Sequence, residues 1–222
     1  MPRQVRRTIP NVPYHMTQRG NNGRDVFFSN DDRKRYLKWM IHYSSRYEFD
    51  IIAYCLMTTH VHFVGIPRKT NSIAMTVQVV HMIHTQAINK ESNLKGHLWH
   101  SPYYSSPMDD KHMWLAIRYV EQNPVRAGIV HHPTKYKWSS ARAHCGLSDD
   151  PVLAPGVDLP GVFDGWSEIL KEIPDVEAIE SIKNCTLRGL PCGENGFVKR
   201  ISSRMGLKTN KRKRGRPQKP VK

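Results

Sequence analysis

Two histidines separated by a single residue, His60 and His62, lie in the most strand-like segment of the chain, residues 51–67. Because side chains alternate between the two faces of a strand, residues two positions apart project on the same side. The spacing therefore predicts two neighbouring imidazoles on one face, while Val61 is free to point toward a core. Two imidazoles held on a rigid element form a natural half of a metal site.

A second pair of chemically capable residues, Tyr119 and Asn123, lies four positions apart in a helix predicted over 109–123. Residues with this spacing share one helix face. A tyrosine is a possible covalent nucleophile, and an asparagine carbonyl is a hard oxygen ligand suited to Mg²⁺ or Mn²⁺. Periodicity alone favours a core aromatic at Tyr119, and Asn123 is most simply the helix end before Pro124. The residues by themselves therefore leave both roles open.

The elements that must position these residues follow the order β-α-β-β-α-β-α. Strands are predicted near 14–19, 49–57, 59–66 and 98–106, and helices near 30–47, 71–90 and 109–123. This order predicts an α+β fold with a ferredoxin-like or RNA-recognition-like antiparallel sheet and helices mainly on one face. The strand of His60 and His62 would be central, and the open face of the sheet would present both imidazoles.

The formal net charge of +15 is unevenly distributed along the 222 residues. Residues 1–147 carry a net charge of +11, residues 148–180 carry −8, and residues 181–222 carry +12. A positive charge of this size favours a polyanionic partner, most commonly nucleic acid. We predict one domain over 1–147. Residues 148–222 are predicted to form an extension, with an acidic linker, short helices near 166–173 and 176–182, and a disordered basic tail.

Membrane and secreted proteins are disfavoured as classes. The longest apolar run, 51–57, is too short to span a bilayer, and no apolar segment follows the basic start of the chain. The four cysteines match no zinc-binding spacing. We therefore expect a cytoplasmic, nucleoid-associated protein with no membrane partner.

Several motifs together resemble the single-tyrosine HUH transposases, and most closely the REP-associated tyrosine transposases. The two main segments are 56–64, which holds the histidine pair, and 118–128, which holds Tyr119 and Asn123. Segments 14–22 and 138–141 are also similar, so the resemblance covers about 8–147. Thr58 and Thr59 depart from the pattern, because many relatives have Pro-Asn before the first histidine.

The resemblance implies a mechanism and a set of roles. His60, His62 and Asn123 would bind Mg²⁺ or Mn²⁺, and Tyr119 would attack single-stranded or hairpin DNA to form a 5′-phosphotyrosine. A free 3′-hydroxyl could then reverse the step and rejoin a strand. The protein would act as a monomer or a homodimer.

Residues for DNA selection are predicted at two further places. The turn with Arg19, Asn21 and Asn22 offers donors and acceptors for unpaired bases or phosphates, although an ordinary hairpin turn has the same composition. In the tail, Arg214 and Arg216 flank a glycine as in the arginine hooks that enter DNA minor grooves, and a solvated charge run is nearly as compatible.

Two other functions compete with transposition. The first is a non-catalytic, hairpin- or sequence-specific DNA-binding protein of the same fold. The second is a metal-dependent phosphoesterase that uses water and turns over without Tyr119. Among the other histidines, His81 and His84 are expected to be surface or packing residues, and His15 is a weaker candidate for a place beside the metal.

Overall fold

A four-stranded antiparallel sheet forms the centre of the fold. The computed structural model describes residues 8–100, 102–155, 165–172 and 175–207. The strands are β1 (Tyr14–Arg19), β2 (Phe49–Leu56), β3 (His60–Pro67) and β4 (Tyr104–Pro107). Their order is β2-β3-β1-β4, and every neighbouring pair is antiparallel. The predicted α+β fold with ferredoxin-like topology is confirmed, and the strand of His60 and His62 is central.

The described residues include eight α-helices. They are α1 (Asn30–Arg46), α2 (Ser72–Glu91), α3 (Asp110–Glu121), α4 (Asn123–Arg126), α5 (Ala141–His144), α6 (Trp166–Ile169), α7 (Val176–Arg188) and α8 (Asn195–Met205). The helices α1, α2, α3, α6 and α7 lie where the sequence predicts helices. The last of them, α7, extends six residues beyond its predicted end at 182.

Local sequence signals explain where these helices begin and end. At the start of α1, the Ser29 hydroxyl accepts a hydrogen bond from the Asp32 backbone N–H, and the Asp32 carboxylate accepts one from the Ser29 N–H. Helix α3 ends two residues earlier than predicted. Pro124 lies in the first turn of α4, where its missing N–H has no intrahelical partner to lose. Helix α7 is terminated by Gly189 in the left-handed conformation, with φ of 65°.

Helices α1 and α2 cover one face of the sheet. Tyr36 of α1 packs against Phe63 of β3, and its hydroxyl lies 2.7 Å from Nε2 of His81 on α2. All three side chains are buried. Since Phe63 alternates with His62 along β3, the two histidines of the pair project to the opposite face, which α3 and α7 cover.

The extension packs against the edge of the sheet at β4. Helix α7 lies against β4, and the hydroxyl of Ser106 donates a hydrogen bond of 2.6 Å to the Leu190 carbonyl. The Cys192 N–H donates to the Pro107 carbonyl, and Cys192 pairs with Met108 in a short parallel bridge. Residues from the extension therefore reach the face that carries the histidine pair. Within the described ranges, no helix is long and apolar enough to cross a membrane.

Candidate active site

Strands β1 and β3 bring three histidines together. The rings of His60 and His62 lie on one face, as predicted, with centroids 5.0 Å apart. In the antiparallel register His15 pairs with Val64, diagonally next to His62. Nε2 of His15 lies 2.9 Å from Nδ1 of His62. The site therefore holds a third imidazole, which the sequence placed only as a weaker candidate.

Helix α3 places Tyr119 against these histidines. The Tyr119 ring meets His62 edge to face with centroids 5.6 Å apart, and it meets His15 in the same way at 5.8 Å. Tyr119 is only 6% exposed, so it is buried, as its periodicity predicts for a core aromatic, and it also lies against the two histidines. Its role as a nucleophile stays a prediction. The predicted nucleophile and the predicted metal-binding pair thus come together within one chain.

A cavity of about 530 Å³ joins these groups. Its lining includes the nucleophile and histidines predicted for the metal site, namely Tyr119, His15, His60 and His62. Arg19 of β1 also lines it, together with three residues from the extension: Lys183, Thr186 and Leu187. The expectation of an open sheet face is therefore wrong, because α7 covers that face and forms one wall of the cavity.

Asn123 lies apart from the two ligands predicted to accompany it. Its side-chain Oδ1 accepts a hydrogen bond of 2.7 Å from Nη2 of Arg126. Its Nδ2 is buried without a hydrogen-bond partner. Asn123 is not among the described residues that line the cavity. The hydrogen bond from Arg126 uses one of the two lone pairs of Oδ1, so it does not by itself exclude Asn123 as a ligand.

The predicted DNA-binding turn lies between two cavities. Arg19 lines the cavity of the histidines, whereas Asn21 lines a second cavity of about 600 Å³ that also contains Gln78 and Trp99. Asn22 is exposed and has a positive φ of 53°. The two arginines predicted to contact DNA from the tail, Arg214 and Arg216, lie outside the described residues.

The two threonines that depart from the family pattern fix the entry to β3. The Thr58 hydroxyl accepts a hydrogen bond of 3.1 Å from Arg33 on α1. The Thr59 hydroxyl lies 3.0 Å from Nδ1 of His60, and its carbonyl accepts from the Gly20 N–H. The substituted loop therefore still holds the His60 ring and ties it to the Arg19 turn.

Burial controls the charge of the site. It lowers the pKa of His62 well below 6.5, lowers that of His15 to about 3, and lowers that of His60 with a further contribution from the Arg19 charge. The three imidazoles are consequently neutral at neutral pH, which is the form that binds metals.

The phenol of Tyr119 experiences opposing effects. Burial raises its pKa, while the positive charges of Arg126 and Lys183 lower it. The guanidinium carbon of Arg126 lies 4.3 Å from the centre of the Tyr119 ring, and Nη2 of Arg126 donates to the Tyr119 carbonyl. The phenol is protonated at neutral pH, and the nearby cations favour its ionised form.

The donor set fits an incompletely ligated metal ion. Nδ1 of His60 and Nδ1 of His62 face Thr59 and His15, respectively, which leaves an Nε2 on each ring. Ring centroids 5.0 Å apart are close enough for both Nε2 atoms to bind one ion at about 2.1 Å. Among the described residues, no group of three or more His, Cys, Asp or Glu side chains is arranged to hold a metal. An ion bound by His60 and His62 alone would keep open positions for substrate oxygens and water.

Residues 8–123 match the family model described as "Transposase IS200 like", which spans more than half of the chain. The chain belongs to the IS200-like transposase family. This finding confirms the family predicted from the histidine and tyrosine motifs.

The fold is similar to that of a solved transposase. The structure of a REP-associated tyrosine transposase bound to a REP hairpin superposes with a TM-score of 0.55 and is 17% identical in sequence. The match covers 74% of this chain and 98% of that chain. A search of curated proteins found no match.

Sequence reasoning missed three residues of the site. Lys183 and Thr186 lie in the extension, more than 120 residues from the histidine pair, and no local pattern links them to it. Arg126 lies in the motif that carries the family resemblance, three residues after Asn123, so its spacing along the helix was a usable signal.

Proposed function

We propose that this transposase-family protein nicks and rejoins single-stranded or hairpin DNA through a 5′-phosphotyrosine on Tyr119, with Mg²⁺ or Mn²⁺ bound by His60 and His62. The observation that carries the proposal is the edge-to-face contact of Tyr119 with His62, 5.6 Å between centroids, inside one cavity. A nucleophile and two neutral imidazoles thus face the same space.

Three cations make this space suitable for a phosphodiester. Arg19 and Lys183 line the cavity, and Arg126 lies over the Tyr119 ring. Arg19 and Arg126 are exposed, and Nζ of Lys183 lies 2.7 Å from a Glu180 carboxylate oxygen, so an entering phosphate would compete with Glu180 for Lys183. We infer that the scissile phosphate enters between β1 and α7.

The reaction exchanges one phosphate ester for another. The phenolic oxygen of Tyr119 attacks phosphorus, a P–O bond to Tyr119 forms, and the P–O3′ bond of the DNA breaks. The phenolic proton is released, and the leaving 3′ oxygen takes up a proton. Attack by a 3′-hydroxyl on the phosphotyrosine reverses these changes, so rejoining needs no nucleotide cofactor.

The metal would neutralise the non-bridging phosphate oxygens when bound. His60 and His62 would each supply Nε2. The role of Asn123 as a third ligand stays a prediction, because Asn123 is not among the described residues that line the cavity of the histidines. If Asn123 is a ligand, an Asn123→Ala variant is expected to bind Mn²⁺ more weakly than the wild type.

DNA recognition would use the turn between the two cavities. Arg19 would contact phosphate near the cleavage point, and Asn21 and Asn22 would contact unpaired bases. The tail arginines, Arg214 and Arg216, would add salt-dependent phosphate contacts. The similar solved transposase is bound to a REP hairpin, which supports hairpin DNA as the substrate class.

The proposed site is complete in one chain, which favours a monomer that cleaves with its own tyrosine. Tyr119 lies against the histidines of the same chain. A mixture of His62→Ala and Tyr119→Phe proteins is therefore expected to stay inactive. Restored cleavage in the mixture would instead show that a homodimer exchanges its tyrosine helices.

The test is a covalent-capture assay with hairpin DNA from the flanks of the gene, labelled separately at each end. With Mn²⁺ or Mg²⁺, the 3′-end label should become protein-bound on a denaturing gel, and the 5′-end label should be released. Tyr119→Phe should abolish the adduct. Tyr104→Phe is the matched control, because Tyr104 lines the same cavity and the substitution likewise removes a phenolic hydroxyl.

Each other outcome selects a different function. Cleavage that survives in Tyr119→Phe would identify a water-using phosphoesterase. Binding without cleavage or adduct, across a set of hairpins, would identify a non-catalytic DNA-binding protein. An adduct formed equally well in EDTA would remove the metal from the mechanism.

A further inference from the structure

A chain of hydrogen bonds runs from the extension to the histidine pair. Oγ1 of Thr186, on α7, lies 2.8 Å from Nδ1 of His15. Nε2 of His15 lies 2.9 Å from Nδ1 of His62. Thr186 and His15 are each 1% exposed and His62 is 5% exposed, so water does not substitute for either bond. Thr186 lies beyond residues 8–123, the part of the chain that matches the family.

The direction of this chain follows from the Thr186 hydroxyl. Its single hydrogen is donated to the Ile182 carbonyl, at 2.8 Å, one helical turn earlier. The Thr186 oxygen can therefore only accept from His15, which places a hydrogen on Nδ1 of His15. A neutral imidazole, the form that binds a metal ion, carries one N–H and one bare nitrogen.

The tautomer of His62 is then determined. With Nδ1 of His15 protonated, Nε2 of His15 is an acceptor, and its bond to His62 must come from Nδ1–H of His62. The two rings lie within 6° of parallel with centroids 5.2 Å apart, as expected for an in-plane N–H···N bond. Nε2 of His62 is left with a free lone pair.

Hydrogen bonds running in the opposite direction would prevent Nε2 of His62 from binding a metal ion. If His15 donated from Nε2 to Nδ1 of His62, then Nε2 of His62 would carry the hydrogen and could not bind a metal ion. The two arrangements exclude each other, and the Thr186 hydroxyl selects between them.

We infer that Thr186 and His15 are positioning residues, which hold His62 as the Nδ1–H tautomer so that its Nε2 is free to bind the metal ion. This inference rests on the proposed function, because it assigns His62 to that ion. Partners behind a metal-binding histidine typically change metal affinity by about 10- to 100-fold when they are removed.

Nitrogen NMR of the metal-free protein tests the tautomer directly. Histidine labelled with ¹⁵N gives long-range proton–nitrogen correlations that distinguish a protonated ring nitrogen from a bare one. In EDTA, His62 and His15 are both expected to be protonated at Nδ1. The opposite pattern at His62 in the wild-type protein would overturn the inference without any variant.

Two substitutions of similar size then test the role of the hydroxyl. Thr186→Ser keeps the hydroxyl and should preserve both the tautomer and the Mn²⁺ affinity, measured from the electron paramagnetic resonance signal of free Mn²⁺. Thr186→Val removes it and should mix or reverse the tautomers and weaken Mn²⁺ binding roughly 10-fold or more. Wild-type affinity with an unchanged tautomer in Thr186→Val would overturn the inference.

A third variant separates this inference from the proposed function. His62→Ala should lose Mn²⁺ binding. If the wild type and His62→Ala bind Mn²⁺ equally, the proposed metal site fails. If His62→Ala loses binding and Thr186→Val does not, the metal site stands and the positioning role of Thr186 fails.

Discussion

Acid should destabilise the fold by a predictable amount through His84 of α2. The Nε2–H of His84 donates a hydrogen bond of 2.7 Å to the Val26 carbonyl, and the side chain has no exposed surface. Burial is the main cause that lowers the pKa of His84 to about 4. Its unfolded value is about 6.5. Between these values the unfolded chain binds a proton that the folded chain does not.

The sign and size of the effect follow from this difference. The contribution of His84 is complete above about pH 6.5 and is lost as the pH falls toward 4. A pH of 5 lies about 1.5 units below the unfolded pKa of His84. At 1.36 kcal/mol per unit, the free energy of unfolding is therefore lower by about 2 kcal/mol than at neutral pH. Burial also lowers the pKa of the neighbouring His81 well below 6.5, so its contribution has the same sign.

Urea unfolding in EDTA at pH 7.5 and pH 5.0 measures the loss. His84→Gln keeps an amide N–H for the Val26 carbonyl and removes the titration. We expect the free energy of unfolding lost between the two pH values to be about 2 kcal/mol smaller in His84→Gln than in the wild type. His42→Gln is the matched control on an exposed position of α1 and should lose as much as the wild type. Equal losses in His84→Gln and wild type would refute the reasoning.

Three further predictions concern the frame of the site. Glu121→Ala removes the shared acceptor of three buried donors and should lower the free energy of unfolding by about 3–5 kcal/mol in urea, with Glu121→Gln less affected. Gly20→Ala would place a Cβ 2.1 Å from the Arg24 backbone oxygen in the same turn, so the melting temperature and the affinity for hairpin DNA should both fall. Gly196→Ala is the control, because its Cβ would meet no atom within 4 Å, and it should lower neither quantity. Lys183→Ala should slow adduct formation and reduce the salt slope of DNA binding by about 0.7, whereas the exposed Lys171→Ala should leave the adduct rate unchanged.

Sequence pattern was sufficient where a role depends on local geometry. The alternation of His60, Val61 and His62 fixes which side chains share a face of β3, whatever the rest of the fold does. The order of strands and helices then leaves few topologies, and the ferredoxin-like one is observed. Tyr119 was the harder case, since a core aromatic and a residue at the site have the same spacing. The family resemblance decided it, and the structure places Tyr119 in both settings.

Pattern was insufficient where a role depends on contacts between distant segments. Asn123 is a local exception, because the residue that donates to its oxygen, Arg126, lies only three positions later in the same helix α4. The open sheet face was predicted because nothing in the sequence of α7 indicates that it docks on β4. That docking depends on hydrogen bonds such as Ser106 to the Leu190 carbonyl, which join residues 84 positions apart.

The docking of α7 changes what the family motif means in this chain. The part that matches the family holds Tyr119, the proposed nucleophile, and His60 and His62, the proposed metal ligands, but an imidazole binds a metal only through a bare nitrogen. Which nitrogen of His62 is bare depends on His15, and the state of His15 depends on a hydroxyl 171 residues away on α7. The spacing of the histidine pair therefore determines where the two rings lie, whereas the extension, through Thr186, is inferred to determine which nitrogen of His62 carries the hydrogen. On the inference drawn for Thr186, a chain that keeps every residue of the motif would lose metal affinity through a single change at Thr186.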